Sequence, residues 1–181
     1  MANNFASLVI KRGSAKTQFY DIFKTIQNPV ELDLEQLVTL THYLKKYSSF
    51  TIGVTAGCFD VFHSGHLQSL KYSRNRCDLL IVMLPSDSSI SSLKGNSRPI
   101  NSLQFRKSLL LKLDFIDIIH CFNTARAAPI FDKIHFDILF KGGDYNLVKL
   151  QSRYPNVQVV LSSEGYEPIS TTAIINRIKK N

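Results

Sequence analysis

Two histidines three residues apart, His63 and His66, stand inside the stretch Gly57-Cys58-Phe59-Asp60-Val61-Phe62-His63-Ser64-Gly65-His66. At the start of a helix, imidazoles at that spacing can turn both rings into one cleft. A helix start also offers free backbone N–H groups and the positive end of the helix dipole. The combination suits a polyphosphate-like anion. Gly57 lets the chain turn where a side chain would hold a phosphate away, and Gly65 opens the helix N-terminus. The stretch has neither the Gly-Lys-Ser/Thr of a P-loop nor the Gly-x-Gly-x-x-Gly of a dinucleotide turn.

Three further clusters carry residues of the same chemical kind. Lys94 and Arg98, in Leu93-Lys94-Gly95-Asn96-Ser97-Arg98-Pro99-Ile100-Asn101, are two cations able to clamp a phosphate. In Lys141-Gly142-Gly143-Asp144-Tyr145 the adjacent glycines admit backbone close to a ligand, and Asp144 can accept from a ribose or sugar hydroxyl. In Ser170-Thr171-Thr172, Ser170 is an N-cap and the hydroxyls and free N–H groups offer a second phosphate cradle. Each alone has a plainer reading: a basic surface loop, a strand-to-helix turn and a helix cap.

The elements that must position these clusters follow from the hydrophobic pattern. Apolar runs predict strands at 51–56, 79–84, 115–120, 136–140 and 157–161. Helical spacing predicts helices from Asp33 to Leu44, with Asp33 and Gln36 as a capping box, from Leu67, over 103–113 (carrying Arg106 and Lys107), around 127–134, from Asn146, and over 171–179. The serine-rich segment 85–98 reads as a polar loop. Strands alternating with helices imply an α/β, Rossmann-like fold: a parallel five-stranded sheet with helices on both faces. Ligands of such sheets sit beyond the C-terminal strand ends, where the first loop and the two glycine and Ser/Thr clusters fall. Phe19, Tyr20, Ile22, Phe23 and Ile26 suggest a short helix ended by Pro29, so residues 1–30 read as an N-terminal extension to one domain at 31–181.

Composition excludes several classes. No apolar run approaches the ~18–20 residues of a membrane span, and charge follows a short apolar piece at the N-terminus, the wrong order for a secretory signal. The cytoplasm is the expected location. Cys58, Cys77 and Cys121 have no paired spacing, which argues against a disulfide framework or zinc site. The net charge of +8 is spread rather than blocked, so a basic cleft for phosphorylated small molecules is expected, not a nucleic-acid surface.

The Gly-x-Phe-Asp-x-x-His-x-Gly-His pattern resembles the signature of the cytidylyltransferase-like nucleotidyltransferases. The four clusters in this order, over residues 31–180, look like the nucleotidyltransferase domain of ADP-heptose synthase. Glycerol-3-phosphate cytidylyltransferase is similar but more distant, having Gly-Asp-Asp where this chain has Gly142-Gly143-Asp144. The resemblance implies transfer of AMP from ATP to a sugar 1-phosphate, heptose 1-phosphate above all. Pyrophosphate is released, and the ADP-sugar serves surface glycan synthesis such as lipopolysaccharide. It implies catalytic roles for His63, His66, Lys94 and Arg98. The nucleotide falls to Gly57, Cys58, Phe59, Gly65, Gly142, Asp144, Ser170, Thr171 and Thr172, with Cys58 read as a packed small residue of that loop. Mg²⁺ is expected on the substrate phosphates, with no protein metal ligand. The partners are small molecules, and a homodimer is carried over from the family. Asp60 can orient a histidine or the loop backbone.

The chain departs from that pattern in three places. Ala56 replaces the usual Asn before Gly57. Asn123-Thr124-Ala125-Arg126-Ala127 has no acid where the family has an acidic loop, so Arg126 can meet a second anionic group. Residues 146–156 lack a glycine-rich segment. Two alternatives remain: a cytidylyltransferase for a polyol phosphate, and a non-catalytic nucleotide- or nucleic-acid-binding module.

Overall fold

The computed structural model describes residues 29–142, 146–162 and 169–180, the side chain of Lys179 excepted. The expected helix within 1–28, and Gly143, Asp144 and Tyr145, lie outside the described residues. The strands are β1 (Val30–Glu31), β2 (Ile52–Ala56), β3 (Leu79–Pro85), β4 (Ile118–Phe122), β5 (Ile138–Lys141) and β6 (Gln158–Leu161). The helices are α1 (Leu34–Tyr47), α2 (Ser64–Arg74), α3 (Asp87–Lys94), α4 (Leu103–Leu110), α5 (Ala128–Phe131), α6 (Leu147–Arg153) and α7 (Thr171–Lys179).

The sheet is parallel in the order β1-β4-β3-β2-β5-β6. It therefore has six strands, not the five expected. The extra one, β1, is a two-residue edge strand held by Val30 N–H on the Asp117 carbonyl (3.0 Å) and Leu32 N–H on that of Ile119 (3.1 Å). Two residues are too few to carry a period, and Val30 lies on the N-terminal side of the expected domain boundary. The segment 85–98 is corrected as well: Pro85 ends β3, and Ser86 caps α3 by accepting from Ser89 N–H at 3.2 Å.

Side chains alternate across the sheet to build two cores. One face packs Leu37, Leu40 and Leu44 of α1 with Ile130 and Phe131 of α5 over Val54, Ile81 and Leu139. The other packs Leu70 of α2 and Leu110 of α4 over Leu80, Val82 and Phe140. β3 is buried throughout, as expected of a central parallel strand.

Carboxylates pin the register at the N-terminal strand ends. Asp78 accepts from Thr51 N–H (2.8 Å), Asp117 from Leu80 N–H (2.7 Å) and Asp137 from Ile52 N–H (2.8 Å). Because Asp117 makes that bond, β4 begins at Ile118, later than the apolar run suggested. The expected capping box of α1 is present: Asp33 accepts from Gln36 N–H at 2.9 Å, and Gln36 accepts from Asp33 N–H at 3.0 Å. Past β2 the chain builds β3 and β4 on one side, then returns to add β5 and β6 on the other. The crevice at that reversal lies between the C-terminal ends of β2 and β5. The loop 57–66 leaves one of those ends and Gly142 follows the other.

Candidate active site

Gly57 leaves β2 with its N–H on the Met83 carbonyl (3.3 Å), and a Cβ there would lie 2.9 Å from ring atoms of Phe59. Glycine is required at this position because the Phe59 ring folds back over the turn. Phe59 itself is buried and has a φ of 48°, the left-handed region that few side chains adopt. Its neighbour Cys58 is half-buried, and the Cys58 carbonyl accepts from Arg106 Nη1 at 2.9 Å.

His63 is the N-cap of α2 and His66 its third residue. Their rings stack with centroids 3.8 Å apart and planes 23° from parallel. Phe59 and Phe62 close round His66 at 5.2 and 5.5 Å. The His63 N–H donates to His66 Nδ1 at 3.4 Å. An accepting Nδ1 leaves the proton of the neutral ring on Nε2, the atom further from the backbone. His63 Nδ1 is buried and finds no partner among the described residues.

Both imidazoles are held neutral. Burial lowers the pKa of His63, and burial, then the neighbouring His63 and Lys94, lowers that of His66 to about 4. An unfolded His66 titrates at its ordinary value of 6.5. Between these values the unfolded chain binds the extra proton, so stability should fall as pH is lowered from 6.5 towards 4. The loss from this residue should approach about 3 kcal/mol. It should be missing from His66→Gln, as read by urea unfolding across that window.

The last helix comes to the same place. A Cβ on Gly65 would lie 3.1 Å from the His63 ring and 3.6 Å from the Ile169 carbonyl oxygen. Glycine thus lets the approach to α7 press against α2. Ser170 caps α7 by accepting from Ala173 N–H at 3.1 Å, as expected, and Thr171 Oγ1 donates to the Val61 carbonyl at 3.4 Å. Thr172 is exposed. On the β5 side, Gly142 faces α2, with Ser69 Oγ 3.8 Å from where its Cβ would stand. Asp144 lies outside the described residues.

The cation loop divides its two charges. Lys94 is exposed at the C-terminus of α3, near enough for its charge to bear on His66. Arg98 is instead buried, with Nε 2.6 Å from Asp60 Oδ2, while its Nη2 is buried without a partner among the described residues. Asp60 is the centre of this side of the site. Besides Arg98, its carboxylate accepts from Ile100 N–H (3.0 Å) and Asn101 N–H (2.7 Å), and Asn101 Nδ2 donates to its carbonyl. Burial pushes the Asp60 carboxyl up, but these donors and the Arg98 charge outweigh it and hold it below the usual value. Of its two expected uses, orienting a histidine or its own loop's backbone, the carboxylate makes neither bond among the described residues: the backbone it holds is that of the cation loop.

Arg106 is the residue that sequence reasoning did not single out. It is 1% exposed and donates to four groups: the carbonyls of Cys58, Pro85 and Asn101, and the Asp87 carboxylate. Arg126, in the segment without acids, is exposed. Among the described residues no group of three or more His, Cys, Asp or Glu could hold a metal, and no helix is long and apolar enough to cross a membrane.

Comparison with known proteins gives the family and the fold. A family model described as cytidylyltransferase-like matches residues 54–177. The bifunctional protein HldE of Helicobacter pylori (strain Shi470) is 37% identical over 185 residues, 99% of this chain and 38% of that protein. HldE of Campylobacter concisus (strain 13826) is 35% identical over 184 residues, 99% of this chain and 39% of that protein. The chain spans about two fifths of the length of these curated relatives. Among solved structures, the lipopolysaccharide core biosynthesis protein of Thermoplasma volcanium GSS1 superposes with a TM-score of 0.55 at 24% identity, covering 62% of this chain and 96% of that one. The pantoate-beta-alanine ligase of Francisella tularensis, complexed with beta-gamma ATP and beta-alanine, does so with 0.55 at 16% identity, covering 84% and 78%. At these identities the two structures show the fold alone. The family match takes in β2 through α7, and with them the loop, the imidazole pair and the capped last helix: the chain belongs to the cytidylyltransferase-like family of nucleotidyltransferases.

Proposed function

We propose that the chain transfers AMP from ATP to a sugar 1-phosphate, heptose 1-phosphate being the favoured acceptor, and releases pyrophosphate. The observation that carries this reading is the stacked His63–His66 pair at the N-terminus of α2, with the capped N-terminus of α7 against it at the sheet's switch point. The similarity to HldE over 99% of this chain and the order of the four clusters support the adenylyl donor over a cytidylyl one.

A sugar-phosphate oxygen attacks the α-phosphorus in line. The new O–P bond forms as the bond from the α-phosphorus to the bridging oxygen breaks, and the electron pair leaves on pyrophosphate. The nucleophile is already an anion at neutral pH, so the protein has charge and position to supply rather than a base. His66 Nε2–H and the His63 ring donate to the oxygens that gain charge. The free N–H groups of α2 and α7 add fixed positive ends. Gly57, Phe59, Gly65 and Gly142 give the backbone approach to the nucleotide, and Asp144, Ser170, Thr171 and Thr172 its recognition. Lys94 offsets repulsion between the two substrates, and Arg98 contributes through Asp60 and its remaining Nη2.

In this reading Mg²⁺ would be held by the substrate's phosphates rather than by the protein. The described cleft residues are imidazoles, cations and hydroxyls, and Asp60 has both oxygens engaged, so they form no carboxylate cage for the ion. When bound it would neutralise phosphate charge.

Pyrophosphate release from ATP and from CTP, each against a panel of sugar 1-phosphates and glycerol 3-phosphate, tests the reading. Turnover with ATP and a heptose 1-phosphate supports it; turnover with CTP and glycerol 3-phosphate overturns it. Lys94→Ala should raise the KM for the phosphate substrate about tenfold, the scale of one charge-assisted hydrogen bond. Unchanged kinetics in that variant would return its loop to the surface.

A further inference from the structure

We propose that Asn101 and Arg106 form, with Asp60, a latch that fixes α3, which ends on Lys94, and the loop after it beside the paired imidazoles, making Arg106 a positioning residue for the transfer. The kinetic form of this proposal rests on the adenylyl-transfer reading above.

The latch starts from Phe59. Its φ of 48° is unfavourable for a side chain with a Cβ, and such a backbone persists only where its surroundings over-determine it. Here the peptide entering Phe59 is held, and so is the carbonyl of the residue that follows it. Arg106 Nη1 donates to the Cys58 carbonyl on one side, and Asn101 Nδ2 donates to the Asp60 carbonyl on the other. The same two residues bind each other, Arg106 Nε donating to the Asn101 carbonyl at 3.1 Å. Asn101 also donates its backbone N–H to the Asp60 carboxylate at 2.7 Å. Asn101 is therefore the junction between the histidine loop and the cation loop.

Arg106 carries the junction to the rest of the fold. Its Nη2 donates to the Pro85 carbonyl (2.9 Å) at the end of β3 and to Asp87 Oδ1 (2.7 Å) at the start of α3. A guanidinium at 1% exposure is costly to bury, and an apolar side chain of similar volume commonly stabilises as much or more. Arg106 spends three of its four bonds on carbonyls of separate segments, and its one acidic partner, Asp87, is 45% exposed. The distinctive product of that arrangement is geometry: three segments, the histidine loop, the β3–α3 junction and the end of the cation loop, held to one planar fork.

The consequence reaches Lys94. Ser91 Oγ donates to the Arg98 carbonyl at 2.6 Å, and Arg98 N–H to the Gly95 carbonyl at 3.0 Å, so the loop is closed on the end of α3 at one side. At the other side Asp60, Asn101 and Arg106 anchor it. Lys94 is the last residue of α3, whose start Arg106 holds through Asp87 and whose end is tied through the following loop to Asp60, so its charge is presented at a set place; with those ties loosened, the charge is delivered over a range of positions.

A double-mutant cycle reads this directly. Lys94→Ala, Asn101→Ala and the double variant are compared for pyrophosphate release, with circular dichroism and melting as checks on folding. ATP affinity is measured by calorimetry in the same four proteins. Asn101→Ala removes the bond from the cation loop to the histidine-loop backbone; it should lower kcat/KM about tenfold, and Lys94→Ala added to it should cost less than about twofold, because the lysine then no longer stands at a set distance from the imidazoles. If Lys94→Ala costs the same factor in both backgrounds, the latch is overturned and Asn101 is merely structural. Arg106→Lys should give the same loss of coupling. Should that variant not fold, the Asn101 cycle decides alone, since Asn101→Ala leaves the donors to the Asp60 carboxylate in place. If the wild-type protein releases no pyrophosphate, the functional reading fails by itself. The latch is then judged on ATP affinity: coupled losses support it and independent losses overturn it.

Discussion

His66→Ala is expected to lower turnover by at least ~10²-fold, the scale of removing one preorganised donor from a transition state. The size of the effect follows from where the ring sits. His66 is packed between Phe59, Phe62 and His63, so its hydrogen bond to a phosphate is made in a water-poor setting where electrostatic contacts are worth more. Its Nδ1 is engaged by the His63 N–H, which commits the proton to Nε2 before any ligand arrives. With a pKa lowered to about 4 the free ring is neutral at pH 7, and it donates without first surrendering a bound water shell to a charge. Circular dichroism should be unchanged in this variant, which separates chemistry from folding. Turnover within a few-fold of wild type would remove the imidazole pair from the reaction.

Asp60→Ala should have the largest effect on stability, about 3–5 kcal/mol, because it strands a buried cation. Among the described residues Asp60 is the side-chain partner of Arg98, which Arg98 would lose, and the Ile100 and Asn101 N–H groups would lose their acceptor together with it. Against a total of about 5–15 kcal/mol for a domain, that is a large share. Lys45, which pairs with Asp137 at 57% and 28% exposure, is the internal control: Lys45→Ala should cost no more than about 1 kcal/mol. The Asp60 contribution also has a sign in pH. Its folded pKa lies below the unfolded value, so the stabilisation is full above about 4 and is lost as pH falls through the lowered folded value. Chemical denaturation of the two variants at pH 7 checks the ranking. A loss at Asp60 no greater than at Lys45 would contradict the burial argument.

How much of this was legible beforehand depended on the kind of signal. The loop 57–66 was legible because its chemistry is local: Gly57, Gly65 and two histidines within ten residues define a turn, a helix start and a pair of rings. The strands were legible as apolar runs, save β1, whose two residues carry no period. α3 was hidden because Asp87-Ser88-Ser89-Ile90-Ser91-Ser92-Leu93-Lys94 is rich in weak helix formers. It is held by the Ser86 cap and the burial of Ile90, one of which is tertiary. Arg98 was legible as a cation but not as the partner of an acid thirty-eight residues away. Arg106 was the least legible of all. An arginine on an amphipathic helix reads as a solvated position, and nothing in the one-dimensional pattern reveals that three segments converge on it.

The central claim, that His63 and His66 together hold a triphosphate, is tested most directly by ¹⁵N NMR of the histidine side chains during titration with ATP. The account predicts that the ring nitrogens of both residues shift in step as ATP saturates the protein, while His42 and His135, whose tilted rings meet elsewhere with centroids 4.3 Å apart, stay unmoved. ATP binding that leaves the resonances of His63 and His66 where they were would contradict it.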